Sequence, residues 1–387
     1  MPERPQPEIQ RTALEATCLN TISMTDERAE TFLSRAMDPP SESDVAHAME
    51  RLRKLGAVAV DGSNETLTPL GHMLARLPLD PATAKMLIMG CVMQCLDPVL
   101  TAAACSSSRE VFYTPLGMRK EQRKTRKTFS ELSDTLASVE AYDEFQYILQ
   151  KDGWGAAKEW ANDNFVSMHA MTSVTSVRWQ LINELQTLGL VQNSDLIKSR
   201  GKRKEFRHDA SVNRNAGVDV LVSAVWATGV PDNLAARRQL GKFGTLRSKT
   251  ENHAGLHPSS VVFHQKPPRE RRPLPRWYFY REMVLSSQVF IRGCTALEPE
   301  QVLLFGGYGL ETIVSSDGGR RKRVLDDWII VESRCGDTLD ALSRARSEIE
   351  VALEMKVMNP RKKLPDSQQT IIDALCDCFD VLAAESE

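Results

Sequence analysis

The sequence lacks the motifs that identify several large classes of protein. It has no G-x-x-x-x-G-K followed by Ser or Thr and no acidic DExH box, so neither half of a P-loop ATPase site is present. The longest apolar run, Met86–Leu96, is too short for a membrane helix, which needs about 20 residues. No C-x-x-C pair occurs among the eight cysteines, which removes the usual spacing of a zinc site. The sequence therefore predicts no ATP hydrolysis, membrane span or metal site within this chain.

The overall charge and the small number of aromatic residues limit how the chain can bind nucleic acid. Its formal net charge is -2 and 6% of its residues are aromatic, so any RNA affinity must come from local basic patches. Unpaired cysteines favour a reducing, intracellular compartment, and the polar start MPERPQPEIQ lacks the apolar segment of a secretory signal. Cytoplasm, nucleus and mitochondrion are not distinguished.

The first part of the chain has the pattern of a winged helix. Apolar spacing predicts a helix around Asp26–Met37 and a second helix that begins at Ser41 and closes at Gly56. Two β-prone pieces, Ala57–Val60 and Glu65–Thr68, then flank a good turn sequence. Helices followed by a hairpin are the plan of that domain.

A long helical region follows. From Pro69 to about Val191 the spacing predicts about seven helices, one of them over Thr128–Gln150. Asp97 is expected to cap the helix that begins at the next residue. Residues 192–216 are polar and basic and have no helical period, which favours a surface excursion.

Segments with strand character predominate after a short helix at Val218–Ala227. They alternate with turns as far as Glu332, which is typical of a small barrel, and Leu304–Gly307 is predicted to be a buried strand. Thr338–Lys356 and Asp366–Ala384 are predicted helices. The predicted fold class is therefore α+β with several domains.

Several segments resemble one known family when they are taken in order. They are FLSRAMDPPSESDVAHAMERLRKLGAV (Phe32–Val58), LTPLGHMLARLPLDPATAKMLIMGCVMQCLDPVLTAAA (Leu67–Ala104), HPSSV (His257–Val261), VFIRGCTALEPEQVLLFGG (Val289–Gly307) and LDDWIIVE (Leu325–Glu332). Together they resemble the C-terminal half of the DEAH/RHA family of RNA helicases along essentially the whole chain. The resemblance implies an exit segment of a RecA-like domain (1–17), a winged helix (18–74), a ratchet-like helical bundle (75–191), a basic insertion (192–216), an OB-fold (217–335) and a helical tail (336–387).

The resemblance implies a function for which this sequence holds only the accessory part. In that family, the bundle and the OB-fold close over single-stranded RNA, and glycine-rich activator proteins land on the OB-fold. The chain is thus expected to be the RNA-binding and regulatory module of an ATP-dependent RNA helicase, cut from a longer protein. ATP and magnesium would belong to the RecA-like motor domains, with no cofactor in this chain and no membrane partner. A stand-alone adaptor or assembly scaffold that has lost the motor is the alternative.

Fourteen residues are candidate RNA contacts on this interpretation. They are Arg119, Lys120, Arg123, Lys124, Arg126, Lys127, Lys202, Arg203, Lys204, His257, Ser259, Ser260, Ser286 and Ser287. On a helix, Arg119, Arg123 and Arg126 share one face and the three lysines among residues 120–127 share the neighbouring face, so this stripe would neutralise phosphates or would simply be solvated.

The other candidates also have two interpretations each. The basic residues within Lys198–Arg207 form an RNA arm, a protein-docking insert or a solvated loop. His257 stacks on or hydrogen-bonds RNA, and the hydroxyls of HPSSV suit a phosphate or a 2′-OH. Alternatively, the histidine is structural and is satisfied by the barrel's own backbone.

Two positions depart from the family pattern. Val284 or Leu285 stands where the family commonly has a lysine before Ser286 and Ser287, and Thr135 stands where the family usually has histidine. One RNA-facing charge is thereby lost. The basic loop Lys266–Arg276 would compensate for it or bind a partner.

Overall fold

The computed structural model describes residues 7–25, 27–61, 64–198, 204–207, 209–238, 245–263, 274–308, 311–317, 320–333 and 336–386. The helices of this part of the chain are α1 (Glu15–Met24), α2 (Ala29–Leu33), α3 (Glu42–Lys54), α4 (Pro69–Leu74), α5 (Pro81–Val92), α6 (Leu96–Ser106), α7 (Arg119–Phe129), α8 (Asp134–Lys151), α9 (Gly153–Asp163), α10 (Met168–Leu188), α11 (Asp219–Ala227), α12 (Pro299–Phe305), α13 (Gly336–Met358) and α14 (Asp366–Ser386). The strands are β1 (Val58–Asp61), β2 (Asn64–Leu67), β3 (Leu196–Lys198), β4 (Lys204–Phe206), β5 (Leu234–Arg237), β6 (Thr245–Ser248), β7 (Ala254–Leu256), β8 (Trp277–Phe279), β9 (Glu282–Leu285), β10 (Val289–Arg292), β11 (Thr295–Leu297), β12 (Glu311–Asp317), β13 (Arg320–Leu325) and β14 (Ile329–Ser333).

The winged-helix plan is confirmed, with one shorter helix than predicted. The Ser41 hydroxyl accepts a hydrogen bond from the backbone N–H of Asp44 and so caps α3. Gly56 closes this helix at a φ of +82°, and β1 pairs with β2 in an antiparallel hairpin. The predicted helix around Asp26–Met37 is only the five residues of α2, and Phe32 on it is 44% exposed.

A helix, α4, occupies the position of the Pro-Leu-Gly sequence that joins the hairpin to the bundle. The Thr68 hydroxyl caps it by accepting from the N–H of Gly71. A Cβ on Gly71 would lie 2.0 Å from the backbone oxygen of Ala57, so only glycine lets α4 pack this closely on the hairpin.

The helical region contains seven helices, α4 to α10, as predicted, but two of its internal boundaries differ. The helix predicted over Thr128–Gln150 is divided, because α7 ends at Phe129 and Ser133 caps α8 through the N–H of Leu136. Asp97 does not cap α6, since it lies inside the first turn, where its carboxylate forms an ion pair with Arg178.

The described residues of the basic segment 192–216 contain regular structure that the sequence does not predict. Strands β3 and β4 pair as an antiparallel hairpin. Asp195 is buried and accepts hydrogen bonds from the backbone N–H of Gln192 at 2.9 Å and from the hydroxyl of Ser211 at 3.0 Å. This turn depends on hydrogen bonds to one carboxylate and not on a repeat of apolar residues. The apolar pattern of the sequence therefore did not predict it.

Seven short strands form the sheet that corresponds to the predicted barrel. Their order is β11-β8-β5-β6-β7-β10-β9, and β7 pairs with β10 in parallel while the other neighbours are antiparallel. A separate sheet of β12, β13 and β14 lies later in the chain. The predicted α+β class is confirmed.

The predicted buried strand at Leu304–Gly307 is wrong, because this segment is the end of α12. Glu298 and Gln301 form a capping box, with the Glu298 N–H donating to the Gln301 side chain at 2.6 Å, and Pro299 occupies the first turn. Arg346 of α13 then donates to the backbone oxygens of Leu303 and Gly306 at 2.7 and 2.8 Å. The sequence Glu-Pro-Glu-Gln before the apolar run is typical of a helix start, and it is the signal that favours a helix over a strand here.

Three groups of buried side chains make up the core. The largest runs through the winged helix, the bundle, α11, α12 and the two C-terminal helices, so these parts share one core. The second lies among α6 to α10, and the third fills one face of the seven-stranded sheet. Because the largest group also includes Leu234, Trp277 and Phe279 of the seven-stranded sheet, the sheet and the bundle pack on one another through this core.

Candidate nucleic-acid interface

Helix α7 carries most of the candidate cations, and they differ in exposure. Arg119, Lys120 and Lys124 are exposed, and within the described residues none of them forms a salt bridge. Arg123 and Lys127 are half-buried. The face that α7 turns to solvent is therefore an array of cations without paired carboxylates, which suits a polyanion.

Arg126 differs from its neighbours because it is buried. Its guanidinium is 3.4 Å from a carboxylate oxygen of Asp134 and 3.7 Å from one of Glu110, and it lies over the ring of Phe112 at 5.1 Å. Its side chain is 8% exposed. This differs from the sequence prediction that Arg126 presents its charge beside Arg119, because the helical face that carries it packs on α8.

Asp134, at the first turn of α8, joins the bundle to the seven-stranded sheet. Its carboxylate accepts from the Ser260 hydroxyl at 2.5 Å, the Val261 N–H at 2.9 Å and the Cys294 N–H at 2.8 Å. Its own backbone N–H donates to the Cys294 oxygen at 2.9 Å. With Arg126 as counter-ion, a buried carboxylate of this kind is stable only in this arrangement. We call the five residues of this contact the Asp134 junction: Arg126, Asp134, Ser260, Val261 and Cys294.

The Asp134 junction assigns a structural role to Ser260. That residue is 1% exposed, and its hydroxyl is taken by Asp134, so it is not available to RNA. Ser133 strengthens the same contact, since its hydroxyl lies 2.6 Å from that of Thr295 on the sheet. Burial also raises the pKa of the Cys294 thiol well above its ordinary value, with the Asp134 charge as a second cause.

His257 and Ser259 remain half-exposed beside the junction. The ring Nδ1 of His257 accepts from the backbone N–H of Ser259 at 3.2 Å and lies 2.7 Å from its hydroxyl, so the neutral ring carries its proton on Nε2. Burial lowers the pKa of His257, and the charges of Arg292 and Arg119 lower it further. The ring is thus a neutral group that presents an N–H rather than a positive charge.

Arg123 brings α7 against the HPSSV loop. Its guanidinium donates to the backbone oxygen of Pro258 at 3.3 Å and lies 5.6 Å from the ring centre of Phe263. The cations of α7 and the half-exposed His257 therefore belong to one continuous surface. We call this surface, formed by Arg119, Lys120, Arg123, Lys124, His257 and Ser259, the α7 surface.

Glu110 and Arg292 mark one border of the α7 surface. Arg292 on β10 pairs with Glu110 at 3.3 Å and with Glu282 on β9 at 3.3 Å. Arg281 donates from the neighbouring position to the backbone oxygen of Ser106 at 2.9 Å. The Arg292–Glu110 pair and the Arg281 hydrogen bond cross between bundle and sheet, and neither arginine was a sequence candidate because neither lies in a basic run.

Ser286 and Ser287 lie at the tip of the β9–β10 hairpin and are exposed. Their hydroxyls are accessible, and the Ser286 oxygen accepts from the Ser287 N–H at 2.6 Å. Leu285, one of the two positions that depart from the family pattern, is 79% exposed. The tip therefore offers an apolar side chain and two hydroxyls.

The basic hairpin of β3 and β4 is described only in part. Lys202 and Arg203 lie outside the described residues, and Lys204 begins β4, where its backbone pairs with Lys198. No hydrogen bond or ion pair joins the described residues of this hairpin to the α7 surface. Its candidates remain sequence predictions.

Arg51, on the winged helix, forms a second polar cluster that sequence reasoning missed. It forms ion pairs with Glu15 and, at 3.0 Å, with Asp232, which also accepts from the Tyr308 hydroxyl at 2.7 Å and pairs with Lys249 at 3.3 Å. A cleft of about 420 Å³ lies beside these residues, between the winged helix, α5 and the start of the sheet. The cluster ties the winged helix to the sheet across long sequence separations, which no local pattern reports.

Among the residues that the structure describes, no group of three or more His, Cys, Asp or Glu side chains could hold a metal ion. None of the described helices is long and apolar enough to cross a membrane.

Three family models match the chain in the order of its domains. They are the winged-helix part of the helicase associated domain (HA2) at residues 48–79, its ratchet-like part at 80–142 and an oligonucleotide/oligosaccharide-binding (OB)-fold at 222–308. The predicted resemblance to the C-terminal half of DEAH/RHA helicases is confirmed by these matches and by the curated relatives.

The curated relatives are similar to nearly all of this chain. The ATP-dependent DNA/RNA helicase DHX36 of Homo sapiens is 30% identical over 360 residues, covering 92% of this chain and 33% of that protein. The ATP-dependent RNA helicase DHX29 of Homo sapiens is 29% identical over 94% of this chain and 25% of that protein. The DExH-box ATP-dependent RNA helicase DExH1 of Arabidopsis thaliana is 28% identical over 97% of this chain and 35% of that protein. The chain thus spans about a quarter to a third of the length of these relatives.

Proposed function

Because the chain carries the winged-helix, ratchet-like and OB-fold domains of the DEAH-box helicase C-terminal region, we propose that it is the RNA-binding and regulatory module of such a helicase. Its partner on this proposal is single-stranded RNA. ATP and magnesium would be bound by the motor domains of the helicase, because this sequence has no phosphate loop. The module would grip RNA while a motor moves it.

One observation supports this function more than any other. The unpaired cations of α7 are held against the half-exposed His257 by the Asp134 junction, so a cationic surface is fixed on a rigid frame. Rigid placement matters because ordering long side chains costs affinity, and a preformed surface avoids part of that cost. Phosphate contacts of this kind bind without reading sequence, which fits the motor-assisting role.

A second candidate function is an adaptor that binds protein. The observation that favours it is Leu285, an apolar side chain exposed at the tip of the β9–β10 hairpin. A protein partner such as a glycine-rich activator or a ribonucleoprotein component would bury that side chain. On this alternative the α7 surface is only solvated.

The test is the binding of a fluorescent 20-nucleotide oligouridine to the chain across a salt series. The variant reverses the three exposed cations of the α7 surface: Arg119→Glu, Lys120→Glu and Lys124→Glu. We expect weaker binding and a slope of log affinity against log salt that is shallower by about 0.7 for each lost phosphate contact.

A matched variant controls for overall charge. Arg361→Glu, Lys362→Glu and Lys363→Glu make the same change in net charge at exposed positions between α13 and α14. Equal losses in both variants, or no binding by the unaltered chain at low salt, would overturn the RNA proposal in favour of the adaptor.

A further inference from the structure

A second cationic groove lies on the seven-stranded sheet and shares no lining residue with the α7 surface. It has a volume of about 580 Å³ and runs between β5, β6, the start of β8 and β14. The residues that carry the argument are Arg237, Arg238, Arg247, Arg276, Trp277 and Trp328. We call it the arginine groove.

The arginine groove has a charge that its own residues do not balance. Four guanidinium groups line it, and no acidic residue lines it within the described part of the chain. The carboxylate of Glu251, in the turn after β6, accepts the backbone N–H of His253 at 2.9 Å and is not part of the lining. Four like charges around one concave space raise its potential and favour an anion.

Two of the arginines are held in place by the protein. Arg237 donates to the Pro275 oxygen at 3.1 Å and to the Tyr278 hydroxyl at 2.5 Å. Arg276 lies over the ring of Trp277 at 6.0 Å. Since each guanidinium has five N–H donors, these contacts leave donors for a ligand.

The other two arginines are exposed. Arg238 donates to the Asn252 oxygen at 3.3 Å. Arg247 stands directly opposite Ala236 in the β5–β6 pair, and no ion pair joins it to any described residue. Its charge is thus available to whatever enters the groove.

Trp277 supplies an independent indication of a ligand. The residue is 2% exposed, and its indole N–H has no hydrogen-bond partner among the described residues. A buried donor without an acceptor is unfavourable, and most such groups are paired in folded proteins. Beside it, the half-exposed Trp328 packs edge-on at 6.4 Å between ring centres, and its ring offers a stacking face.

We propose that the arginine groove binds a second segment of single-stranded nucleic acid, through its phosphates at the arginines and a base at Trp328. This inference rests on the proposed RNA-binding function and adds a separate site to it. Arginines that donate to phosphate together with an aromatic face are the combination that single-strand sites use. An acidic peptide would use the same charges but would gain nothing from the tryptophan.

The experiment is photo-crosslinking with a 20-nucleotide oligomer of 4-thiouridine, followed by mapping of the linked peptides by mass spectrometry. The groove variant is Arg238→Glu with Arg247→Glu, and a milder version is Arg238→Gln with Arg247→Gln. Circular dichroism checks that both fold, and the Arg361→Glu, Lys362→Glu pair is the charge control. We expect crosslinks in the peptide that contains Trp328, their loss in both groove variants, and an affinity loss of about tenfold at low salt in the Glu version.

The outcomes separate this inference from the proposed function. Crosslinks on the α7 surface alone, with unchanged affinity in the groove variants, would overturn the inference and leave the proposed function standing. Crosslinks in the groove alone would support the inference and remove α7 from the proposed function. Absence of crosslinks at both surfaces would overturn both.

A second probe separates nucleic acid from protein. A fluorescent polyglutamate peptide should bind more weakly than the RNA and should be displaced by it. If the peptide binds and Arg247→Glu abolishes that binding while RNA affinity stays unchanged, the groove docks an acidic protein segment and the nucleic-acid inference is wrong.

Discussion

The hydroxyl of Ser260 lies 2.5 Å from the carboxylate of Asp134, and the two residues belong to different domains. Asp134 opens a helix of the bundle, and Ser260 follows a strand of the seven-stranded sheet. Both residues are almost completely buried, so this contact and the shared core together fix the distance between the bundle and the sheet. The α7 surface depends on that distance, since its cations come from the bundle and His257 comes from the sheet.

Asp134→Ala should destabilise the chain strongly. It removes acceptors from the Ser260 hydroxyl and from two backbone N–H groups, and it leaves the buried Arg126 with Glu110, at 3.7 Å, as its remaining carboxylate. We expect a loss of about 3–5 kcal/mol in the free energy of unfolding, measured by urea denaturation. Glu131→Ala, an exposed neighbour, should change it by less than about 0.5 kcal/mol. Similar midpoints for the two variants would show that the junction does not hold the domains together.

Arg126 and Lys124 should separate stability from binding, although both are basic residues of α7. Arg126→Met leaves the Asp134 carboxylate without its counter-ion, so we expect a loss of about 3 kcal/mol in unfolding free energy. Its affinity for oligouridine, measured where the chain is fully folded, should stay the same. Lys124→Met should weaken oligouridine binding and leave the unfolding free energy unchanged, because the Lys124 side chain is exposed and forms no salt bridge within the described residues. A binding loss in Arg126→Met equal to that in Lys124→Met would contradict the division of α7 into a structural and a binding face.

The pKa of His257 should be lowered by its position between the sheet and the cations of α7. Burial, Arg292 and Arg119 lower its pKa from the ordinary value of 6.5. A base with a lowered pKa in the folded state contributes stability above its unfolded pKa and loses that contribution as the pH falls through the folded pKa. Unfolding free energy should therefore decline below pH 6.5 by more in the native chain than in His257→Gln. NMR of the ring should give a midpoint under 6.5, and a midpoint above it would place a carboxylate rather than arginines beside the ring.

Local patterns predicted the helices and caps well, because each depends on neighbours in sequence. Ser41 with Asp44 is a capping signal that the structure confirms, and Gly56 ends the same helix at positive φ. The order of domains was also predictable, because the resemblance rested on several segments in sequence order. The error at Leu304–Gly307 came from reading a short apolar run as a strand, although the capping box of Glu298 with Gln301 and the Pro299 start favoured a helix.

The candidate site was less predictable, because its geometry depends on contacts between distant residues. Asp134 and Ser260 are separated by 126 positions, and no periodicity of the sequence predicts that the Asp134 carboxylate will be buried against Ser260. For the same reason, a basic run could locate α7 but could not say that Arg126 turns inward. The arginine groove shows the limit most clearly, since its cations come from three separate strands and their adjoining loops.

The cysteines give a prediction that depends on burial alone. Burial raises the pKa of Cys91 and of Cys105 to about 12, so both thiols stay neutral at pH 8 and cannot attack an alkylating reagent. Cys378 on α14 is exposed. With N-ethylmaleimide at pH 8, peptide mapping should show rapid labelling of Cys378 and slow labelling of the other two. All three should react at similar rates in urea, which confirms that the fold protects them. Fast labelling of Cys105 in the native chain would mean that α6 opens locally, and since α6 packs on the helix that carries Asp134, such opening would also weaken the α7 surface.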